Sequence, residues 1–380
     1  MKKVFDIAFA GGGVKGIAFI GALDVLNRGN YQIGRLVGTS AGAITAMCLA
    51  AGYTPGEMLS VSRERIKGKS CFCSFLDPPT IEDFPSPKRE KSETKRALVA
   101  AIDEALKAEP IKEALKNQPA APIILRLVLA RLSDPLVDAL MRNPLFVRFF
   151  ALVETGAMFR DKNVIEWIQE QLRNKLFDKE ITLGDFALKT KKDLTLVAVD
   201  TSDKELLVLN QRTAPRLPVW AAVRMSMSIP FIWEEVAWNK SWGTYRGREK
   251  TGNLMVDGGM WSNFPLRLLV SRDQENQEIM GMPPAEPAMP LGLFLDERKP
   301  IPGAPTSGND IDLQMLRRVN RLIETMSAPL DREVTKKYEK DICFIGAKGV
   351  SLLEFDMNQQ RQELLLNSGR CAMTEYLRKM

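Results

Sequence analysis

The sequence has 380 residues, of which 45% are hydrophobic and 26% charged, a composition typical of globular proteins and not of disordered chains. Because it contains no histidine, a Ser-His-Asp triad, a Cys-His dyad and nearly all catalytic zinc sites are excluded. A formal charge of +6 is mildly basic, and five cysteines are too few, and odd in number, for a disulfide framework.

The N-terminal segment Met1-Lys2-Lys3 resembles the start of a signal peptide, but Asp6 and a glycine cluster interrupt the apolar run that follows. We expect neither a signal peptide nor a transmembrane helix. Basic patches such as the one at residues 88–96 suit an anionic lipid surface or nucleic acid, and solvated helix faces account for them equally well.

The first element is a buried strand predicted over Val4 to Ala10, followed by the glycine loop Gly11-Gly12-Gly13-Val14-Lys15-Gly16 and a helix to about Leu26. The spacing of the loop fits a dinucleotide fingerprint, but residues 30–39 offer no acidic residue for the ribose. A P-loop would need Lys and Ser or Thr after Gly16, where Ile17 stands. The third interpretation is an oxyanion hole made of successive N–H groups of this loop.

A second strand leads into Gly38-Thr39-Ser40-Ala41-Gly42, and Ala41 to Ala51 continues as a helix that is apolar on every side. A serine between two glycines at this spacing is typical of a nucleophile elbow. The strained turn of such an elbow places the hydroxyl at the N-terminus of the next helix. Without histidine, Ser40 must be activated by a carboxylate or an amine.

A helix is predicted from Pro55 to Lys67, and prolines then mark the start of a helical insertion over residues 70–154. Pro135 and Pro144 are expected to divide its last part into three short helices. Asp138 and Arg142 are expected to pair on the polar face of the second of these helices.

Apolar side chains of this insertion recur at helical spacing, as in Ile123, Ile124, Leu127, Val128, Leu136, Val137, Leu140 and Met141, with Phe146, Phe149 and Phe150 beyond them. Two interpretations stay open. The apolar faces pack on the rest of the protein, or they insert into a lipid surface while Arg126, Arg131 and Arg142 attract anionic head groups.

Strand patterns return after a helix predicted at Asn163 to Phe177. Strands are predicted at Asp193–Asp200, Glu205–Gln211, Trp233–Trp238, Gly252–Val256 and Leu291–Leu295. Between them, Val219 to Met227 is predicted as a short helix, and Ser226 and Ser228 are interpreted as packing and helix-end residues.

The strand at Gly252–Val256 ends in Asp257-Gly258-Gly259, a carboxylate with two flexible residues behind it, although most Asp-Gly pairs are plain turns. Residues 273–290 are predicted as a surface loop. The tail is predicted as helix from Ile311, a strand at Ile342–Gly346 and a final helix at Asn358–Arg378.

The glycine loop, the elbow and Asp257-Gly258-Gly259 together resemble the motifs of the patatin-like phospholipases, which use a serine–aspartate dyad without histidine. G-G-G-V-K-G, G-T-S-A-G and D-G-G match the motifs of that family in full. Ala222–Phe231 and Val256–Pro265 are also similar to its core. The resemblance covers roughly residues 1–66 and 156–300 and leaves the insertion outside it.

The resemblance implies that Ser40 is the nucleophile and Asp257 the base that takes its proton. It implies an oxyanion hole from the N–H groups of Gly11, Gly12 and Gly13, with Gly12 and Gly13 favoured and Lys15 orienting the loop. Five glycines would support these motifs: Gly16, Gly38, Gly42, Gly258 and Gly259. No cofactor and no metal is implied.

The fold implied is a three-layer α/β/α patatin-like fold with a mostly parallel central sheet. Its core would comprise residues 1–69 and 155–300, with a helical insertion at 70–154 as a candidate cap and a mainly helical extension at 301–380 packing on the core.

The activity implied is hydrolysis of a membrane phospholipid or lysophospholipid by a cytoplasmic protein that contacts anionic membranes peripherally, with no nucleic-acid partner. An activating ligand or partner is plausible, but no motif identifies one. Two alternatives stay open: an acyltransferase or thioesterase with the same dyad, and a catalytically idle lipid- or nucleotide-binding module.

Overall fold

The computed structural model describes residues 3–29, 31–66, 68–105, 107–108, 113, 121–282, 288–303, 314–351 and 354–380. The chain divides into two compact units. The first comprises Met1–Phe75, Lys162–Pro230 and Glu235–Met380, and the second comprises Leu76–Asp161 and Phe231–Glu234.

The strands of the described residues are β1 (Lys3–Phe9), β2 (Tyr31–Thr39), β3 (Arg65–Ile66), β4 (Lys69–Ser70), β5 (Leu194–Asp200), β6 (Glu205–Leu209), β7 (Val236–Ala237), β8 (Leu254–Asp257), β9 (Met289–Pro300) and β10 (Ile342–Lys348). Eight of them form one sheet in the order β10-β9-β1-β2-β5-β8-β7, with β6 also paired to β5. The five strands from β10 to β5 in this order run parallel, whereas β6, β7 and β8 pair antiparallel. The expected mostly parallel α/β sheet is confirmed.

The α-helices of the described residues are α1 (Ile17–Arg28), α2 (Ala41–Ala50), α3 (Pro55–Arg63), α4 (Cys71–Phe75), α5 (Ser86–Glu90), α6 (Glu93–Ala105), α7 (Ala121–Leu140), α8 (Pro144–Thr155), α9 (Lys162–Asn174), α10 (Leu183–Thr190), α11 (Val219–Ser226), α12 (Arg267–Val270), α13 (Gln274–Met280), α14 (Gln314–Lys337) and α15 (Gln359–Lys379). Helices α5 to α8 belong to the second unit and the others to the first. Short 3-10 helices include Gly13–Gly16 and Gly258–Met260.

The C-terminal extension is an integral part of the first unit. Strand β10 pairs with β9 at the edge of the sheet, and α15 packs against α1. Glycines allow these two helices to approach closely, because a Cβ on Gly21 would lie 1.9 Å from the Leu366 carbonyl oxygen. A Cβ on Gly369 would lie equally close to the carbonyl oxygen of Ala18, so neither position accepts a larger residue without separating the helices.

The geometry of β5 determines where the motifs meet. Strand β6 pairs along one edge of β5. On the other edge, β2 pairs parallel with the first part of β5, and β8 pairs antiparallel with the last part. Thr39, the last residue of β2, pairs with Val197, and Asp257, the last residue of β8, pairs with the next residue, Ala198. The residues that follow the two strands therefore meet end to end.

Several predicted boundaries were wrong. Gln274 to Met280, predicted as loop, forms α13, and the side chain of Asp273 caps this helix by accepting from the Asn276 N–H at 2.8 Å. The strand predicted at residues 233–238 is reduced to Val236–Ala237. Residues 283–287, which belong to the loop predicted at residues 273–290, lie outside the described residues.

The second unit is helical, with a core formed by the inner faces of α7 and α8. Its buried members are Phe84, Val137, Met141, Val147, Phe150 and Ala151. Pro135 lies inside α7 and does not end it, so the prediction of three short helices was wrong, whereas Pro144 does begin α8 behind the cap residue Asn143. The predicted Asp138–Arg142 pair is also wrong, because Asp138 accepts from Arg89 at 2.8 Å.

The outer faces of α7 and α8 carry apolar side chains that the second unit leaves exposed, at Ile124, Leu127, Val128, Leu132, Leu136, Leu145, Phe149 and Val153. We call these eight residues the outer apolar stripe. The side chains of Ile123, Arg126 and Arg131 lie outside the described residues. Across the described residues, the helices are too short or too polar to cross a bilayer.

Candidate active site

Ser40 occupies a strained turn between β2 and α2. Its backbone has φ 54° and ψ −120°, a conformation that a residue with a side chain rarely adopts. The flanking glycines are required by space: a Cβ on Gly38 would lie 2.3 Å from the Gly42 carbonyl oxygen, and one on Gly42 would lie 2.5 Å from that of Phe9. Only glycine fits at either position. These are the two positions at which the elbow motif has glycine, two residues before and two residues after the serine.

The end-to-end approach of β2 and β8 brings the Ser40 hydroxyl near the Asp257 carboxylate, close enough to help lower the pKa of that carboxyl group. Both side chains are buried. Helix α11 and the residues after it hold the two backbones. The Ser40 N–H donates to the Ser226 hydroxyl at 3.1 Å, and the Asp257 N–H donates to the Ser228 carbonyl oxygen at 2.9 Å.

The electrostatics of Asp257 differ from those of a carboxylate in water. Burial raises its pKa from the usual 3.8 to about 7, against the lowering effect of hydrogen bonds from the Gly259 N–H and the Ser40 hydroxyl and of the positive charge of Arg224. The Gly259 N–H donates at 2.6 Å. A carboxylate with a pKa near neutrality is a far stronger base than a solvated aspartate, so the position suits proton abstraction.

The glycine loop lies directly beside the elbow, since a Cβ on Gly11 would lie 3.3 Å from that of Ser40. The N–H of Gly11 donates to the Asn263 carbonyl oxygen at 2.8 Å, so the expectation that Gly11 contributes to the oxyanion hole was wrong. Within the described part of the chain, the N–H groups of Gly12 and Gly13 have no protein acceptor and are the remaining donors. Gly13 has φ 53°, which turns the loop into the 3-10 helix.

Lys15 is buried and forms an ion pair with Glu297 from β9. This pair ties the glycine loop to the neighbouring strand, which agrees with an orienting role for Lys15. Gly11, Gly12 and Lys15 also line one side of a cavity of about 580 Å³.

The remaining motif glycines are required for close packing. A Cβ on Gly16 would lie 3.0 Å from the Cβ of Ala41, and one on Gly258 would lie 2.3 Å from the Val197 carbonyl oxygen. Gly259 is packed between the side chains of Asp257 and Asn263. The structure thus brings together all the residues that the motifs singled out, with Gly11 in a different role.

Sequence reasoning missed four residues at this site. The sequence pattern indicates only a packing role for Ser226 and indicates no role for Arg224, Asn263 or Asp331. The signal for Ser226 and Arg224 was present, because both lie in the stretch Ala222–Phe231 that resembles the family core. Asp331 lies far along the chain in α14, and its carboxylate accepts from the Phe264 N–H at 3.1 Å.

One group of carboxylates among the described residues has the spacing of a metal site: Asp200, Asp203 and Glu205. The ammonium of Lys250 already lies between these carboxylates, 2.8 Å from Asp200 and 2.5 Å from Asp203, and its side chain is fully buried. A protein cation therefore occupies the position between these carboxylates.

The chain is similar to several known proteins. Residues 7–270 match the family model described as patatin-like phospholipase. The uncharacterized protein YqhO of Bacillus subtilis strain 168 is 25% identical over 372 residues, covering 96% of this chain and 95% of that protein. A protein of Invertebrate iridescent virus 6 named probable lipid hydrolase 463L is 20% identical over 269 residues, covering 71% of this chain and 64% of its own length. The crystal structure of VipD from Legionella pneumophila aligns with all of this chain and 67% of its own, at 16% identity and a TM-score of 0.45.

Proposed function

The chain belongs to the patatin-like phospholipase family, and on that premise we propose that it is a lipid acyl hydrolase in which Ser40 and Asp257 cleave carboxylic esters of membrane phospholipids or lysophospholipids. The observation that carries the proposal is the end-to-end junction of β2 and β8, which places the strained Ser40 turn beside the buried Asp257 carboxylate. Since the sequence has no histidine, this carboxylate is the base within reach of the serine.

In the first step Ser40 Oγ attacks the acyl carbon of the ester while its proton passes to Asp257. The negative charge that develops on the acyl oxygen is stabilised by the N–H groups of Gly12 and Gly13, and one such donor is worth about 3–4 kcal/mol. Collapse of the tetrahedral intermediate breaks the ester bond. The leaving alcohol takes the proton from Asp257, and the acyl group stays on Ser40.

In the second step water attacks the acyl-serine, with Asp257 again accepting the proton. The fatty acid leaves, and Ser40 recovers its hydrogen. Two features hold the Ser40 hydroxyl in one position through both steps. The first is the strained turn of its backbone, and the second is the hydrogen bond from the Ser40 N–H to the Ser226 hydroxyl.

The outer apolar stripe supports contact with a lipid surface. Its members on α7 repeat every three or four residues along one face of the helix, and those on α8 repeat every four. Ion pairs of Asp134 with Lys95 and of Asp138 with Arg89 lie between this exposed face of α7 and the inner face that packs in the core. An exposed apolar face with charged side chains along its edge suits insertion at the headgroup boundary, and the exposed Arg142 adds attraction to anionic lipids.

A fluorophosphonate probe tests the activity. We expect it to label Ser40 of the wild-type protein and to leave Ser40→Ala unlabelled, with fatty acid release from mixed phospholipid vesicles lost in the same variant. Ser62→Ala, a change at a buried serine elsewhere in the first unit, is the control and should keep both signals. Substantial turnover by pure Ser40→Ala protein, or a wild-type protein that does not react, would end the proposal.

The same assay separates the alternatives. An acyltransferase without the probe would move the acyl group from the acyl-serine to an added lysophospholipid faster than to water. An idle binding module would bind lipid and leave the probe unreacted.

Membrane contact is tested by the double variant Leu127→Asp and Phe149→Asp, whose side chains are 63% and 56% exposed. We expect weaker sedimentation with anionic vesicles and unchanged hydrolysis of a short soluble ester. Leu188→Asp, at a 68% exposed leucine of the first unit, is the matched control. Phe149 is used and not its neighbour Phe150, because Phe150 is fully buried and its replacement would disrupt the core of the second unit. Equal vesicle binding by all three proteins would contradict the assignment.

A further inference from the structure

Three consecutive residues after the Asp257 motif hold three different elements. The Ser262 carbonyl oxygen accepts from the Thr39 hydroxyl at 3.1 Å, at the end of β2. The Asn263 carbonyl oxygen accepts from the Gly11 N–H at 2.8 Å. The Phe264 N–H donates to Asp331 at 3.1 Å. This short segment therefore connects the elbow, the glycine loop and α14.

The last two of these bonds belong to one peptide group. The carbonyl of Asn263 and the N–H of Phe264 lie in the same rigid plane, so a rotation that breaks one bond weakens the other. Gly11 and Asp331 are thus joined through a single peptide. The hydrogen bonds along such a chain polarise and strengthen one another.

Tight packing around this peptide leaves little room for another arrangement. A Cβ on Gly11 would lie 2.2 Å from the Asn263 side-chain oxygen, and one on Gly259 would lie 3.1 Å from it. The Asn263 side chain therefore fills the space between the glycine loop and the Asp257 motif. A shift of the peptide at residues 263–264 would move the glycine loop with it.

Burying the Asp331 carboxylate lowers the stability of the fold, and the hydrogen bond that it accepts does not offset this loss. Its side chain is buried, and within the described residues it accepts one hydrogen bond, from Phe264. Burial raises its pKa to about 7, with that hydrogen bond acting in the opposite direction. A buried carboxylate with one neutral partner destabilises a fold, and such groups concentrate at functional sites. Asp331 also lines, with Gly11 and Gly12, the cavity beside the loop.

We propose that Asp331 is a positioning residue: by holding the Phe264 N–H it fixes the peptide that binds Gly11, and so sets the N–H groups of Gly12 and Gly13 toward the acyl oxygen. The inference rests on the proposed hydrolase function and deepens it. It also gives α14 a role in the site, although this helix lies beyond residues 7–270 that match the family.

Steady-state kinetics on a short soluble ester test the role. We expect Asp331→Ala to lower kcat by 30-fold or more and to change KM by less than twofold, because acyl-oxygen stabilisation is lost and ester binding is not. Asp331→Asn keeps an oxygen that can accept from Phe264, and should recover activity to within about fivefold of wild type.

The matched control is Asp6→Ala. Asp6 is likewise buried and accepts from a backbone N–H, that of Arg35, at 2.7 Å. The Asp6 carboxylate also pairs with the Arg35 guanidinium at 2.7 Å, so Asp6→Ala should lower thermal stability, and it should keep kcat in the folded protein. If Asp331→Ala also keeps kcat within twofold, or if Asn is as impaired as Ala, the positioning role is overturned.

Amide hydrogen exchange provides a readout that is independent of catalysis. Amide exchange in the proteolytic fragment that contains residues 11–15 should accelerate at least tenfold in Asp331→Ala. It should stay at the wild-type rate in Asp6→Ala. A variant that fails to fold is replaced by Asp331→Asn, for which wild-type exchange is expected and accelerated exchange counts against the proposal. An inactive wild-type protein would refute the hydrolase function alone, since the exchange result still tests the contact.

Discussion

Asp200 and Asp257 are buried carboxylates of the same antiparallel strand pair, and their surroundings give them opposite properties. Asp200 pairs across the ladder with Met255, two residues before Asp257. Burial would raise the pKa of Asp200, but hydrogen bonds from Lys250 and Asn253 outweigh it and hold the pKa below its usual value. Within the described residues, Asp257 accepts no hydrogen bond from an ammonium, and the positive charge of Arg224 does not outweigh burial, so its pKa rises to about 7. Burial alone therefore does not make a base; burial without an adjacent ammonium does.

The largest expected effect separates the two residues by activity. Asp257→Asn removes the proposed base, and we expect ester hydrolysis to fall by 10⁴-fold or more, since residues of a catalytic unit carry effects of this size. Asp200→Asn should keep wild-type kcat in the folded fraction. The measurement is kcat on a soluble ester, with circular dichroism to establish folding. Comparable losses of kcat in both variants would show that activity depends on the integrity of the strand pair and not on Asp257 as a base.

The second effect concerns the cation that distinguishes the Asp200 region. Lys250→Met leaves Asp200, Asp203 and Glu205 without their ammonium, and removing one partner of a buried ion pair costs about 3–5 kcal/mol. We expect a loss of this size in the free energy of unfolding, measured with urea, and unchanged kcat below the transition. Lys240→Met, at an exposed lysine, should change stability by less than about 0.5 kcal/mol.

The third prediction uses the opposite directions of the two pKa shifts. Because the folded-state pKa of Asp257 is raised from 3.8 to about 7, the stability that it contributes is present at acid pH and is lost as the pH rises through 7. The difference amounts to at most about 4 kcal/mol. Asp200 has a lowered pKa, so its contribution is present above pH 4 and is lost as the pH falls.

Unfolding free energies between pH 5 and pH 8 check this sign. Relative to wild type, Asp257→Asn should gain stability as the pH rises, and Asp200→Asn should not. The same titration controls activity: kcat should fall below pH 7 as Asp257 takes up a proton, with no imidazole involved. A wild-type acid limb centred near pH 4 would contradict the raised pKa.

The smallest effect tests the support of the elbow. Ser226→Ala removes the acceptor of the Ser40 N–H, and a lost hydrogen bond of this kind costs about 1 kcal/mol. We expect a fall in kcat of about tenfold with unchanged KM. Thr45→Val, which removes a hydroxyl bonded to the Ala41 carbonyl oxygen inside α2, should leave kcat unchanged.

Local patterns predicted the parts of the site that local physics determines. The strand, glycine loop and helix at the N-terminus and the elbow at Ser40 were predictable because each motif fixes its own backbone. Gly11 was assigned wrongly because the partner of its N–H, Asn263, is remote in sequence. No pattern in the sequence states which of three adjacent N–H groups is already in use.

Other errors have equally specific causes. Pro135 was expected to end a helix, but α7 continues through it, since the core contacts of Val137 and Met141 stabilise the turns that follow. Helix α13 was missed because it is short and borders a stretch rich in Pro and Met. Asp331 could not be found from a motif, since its proposed role depends on a single contact with Phe264.

The end-to-end junction of β2 and β8 has a consequence for synthesis on the ribosome. Ser40 leaves the ribosome well before Asp257, and Asp331 follows later still. A nascent chain therefore carries a nucleophile without its base, and under the proposed function it is chemically inert toward nearby membranes. Hydrolytic competence then arises only when the segment that carries β8 and Asp257 has been synthesised and has paired with β5.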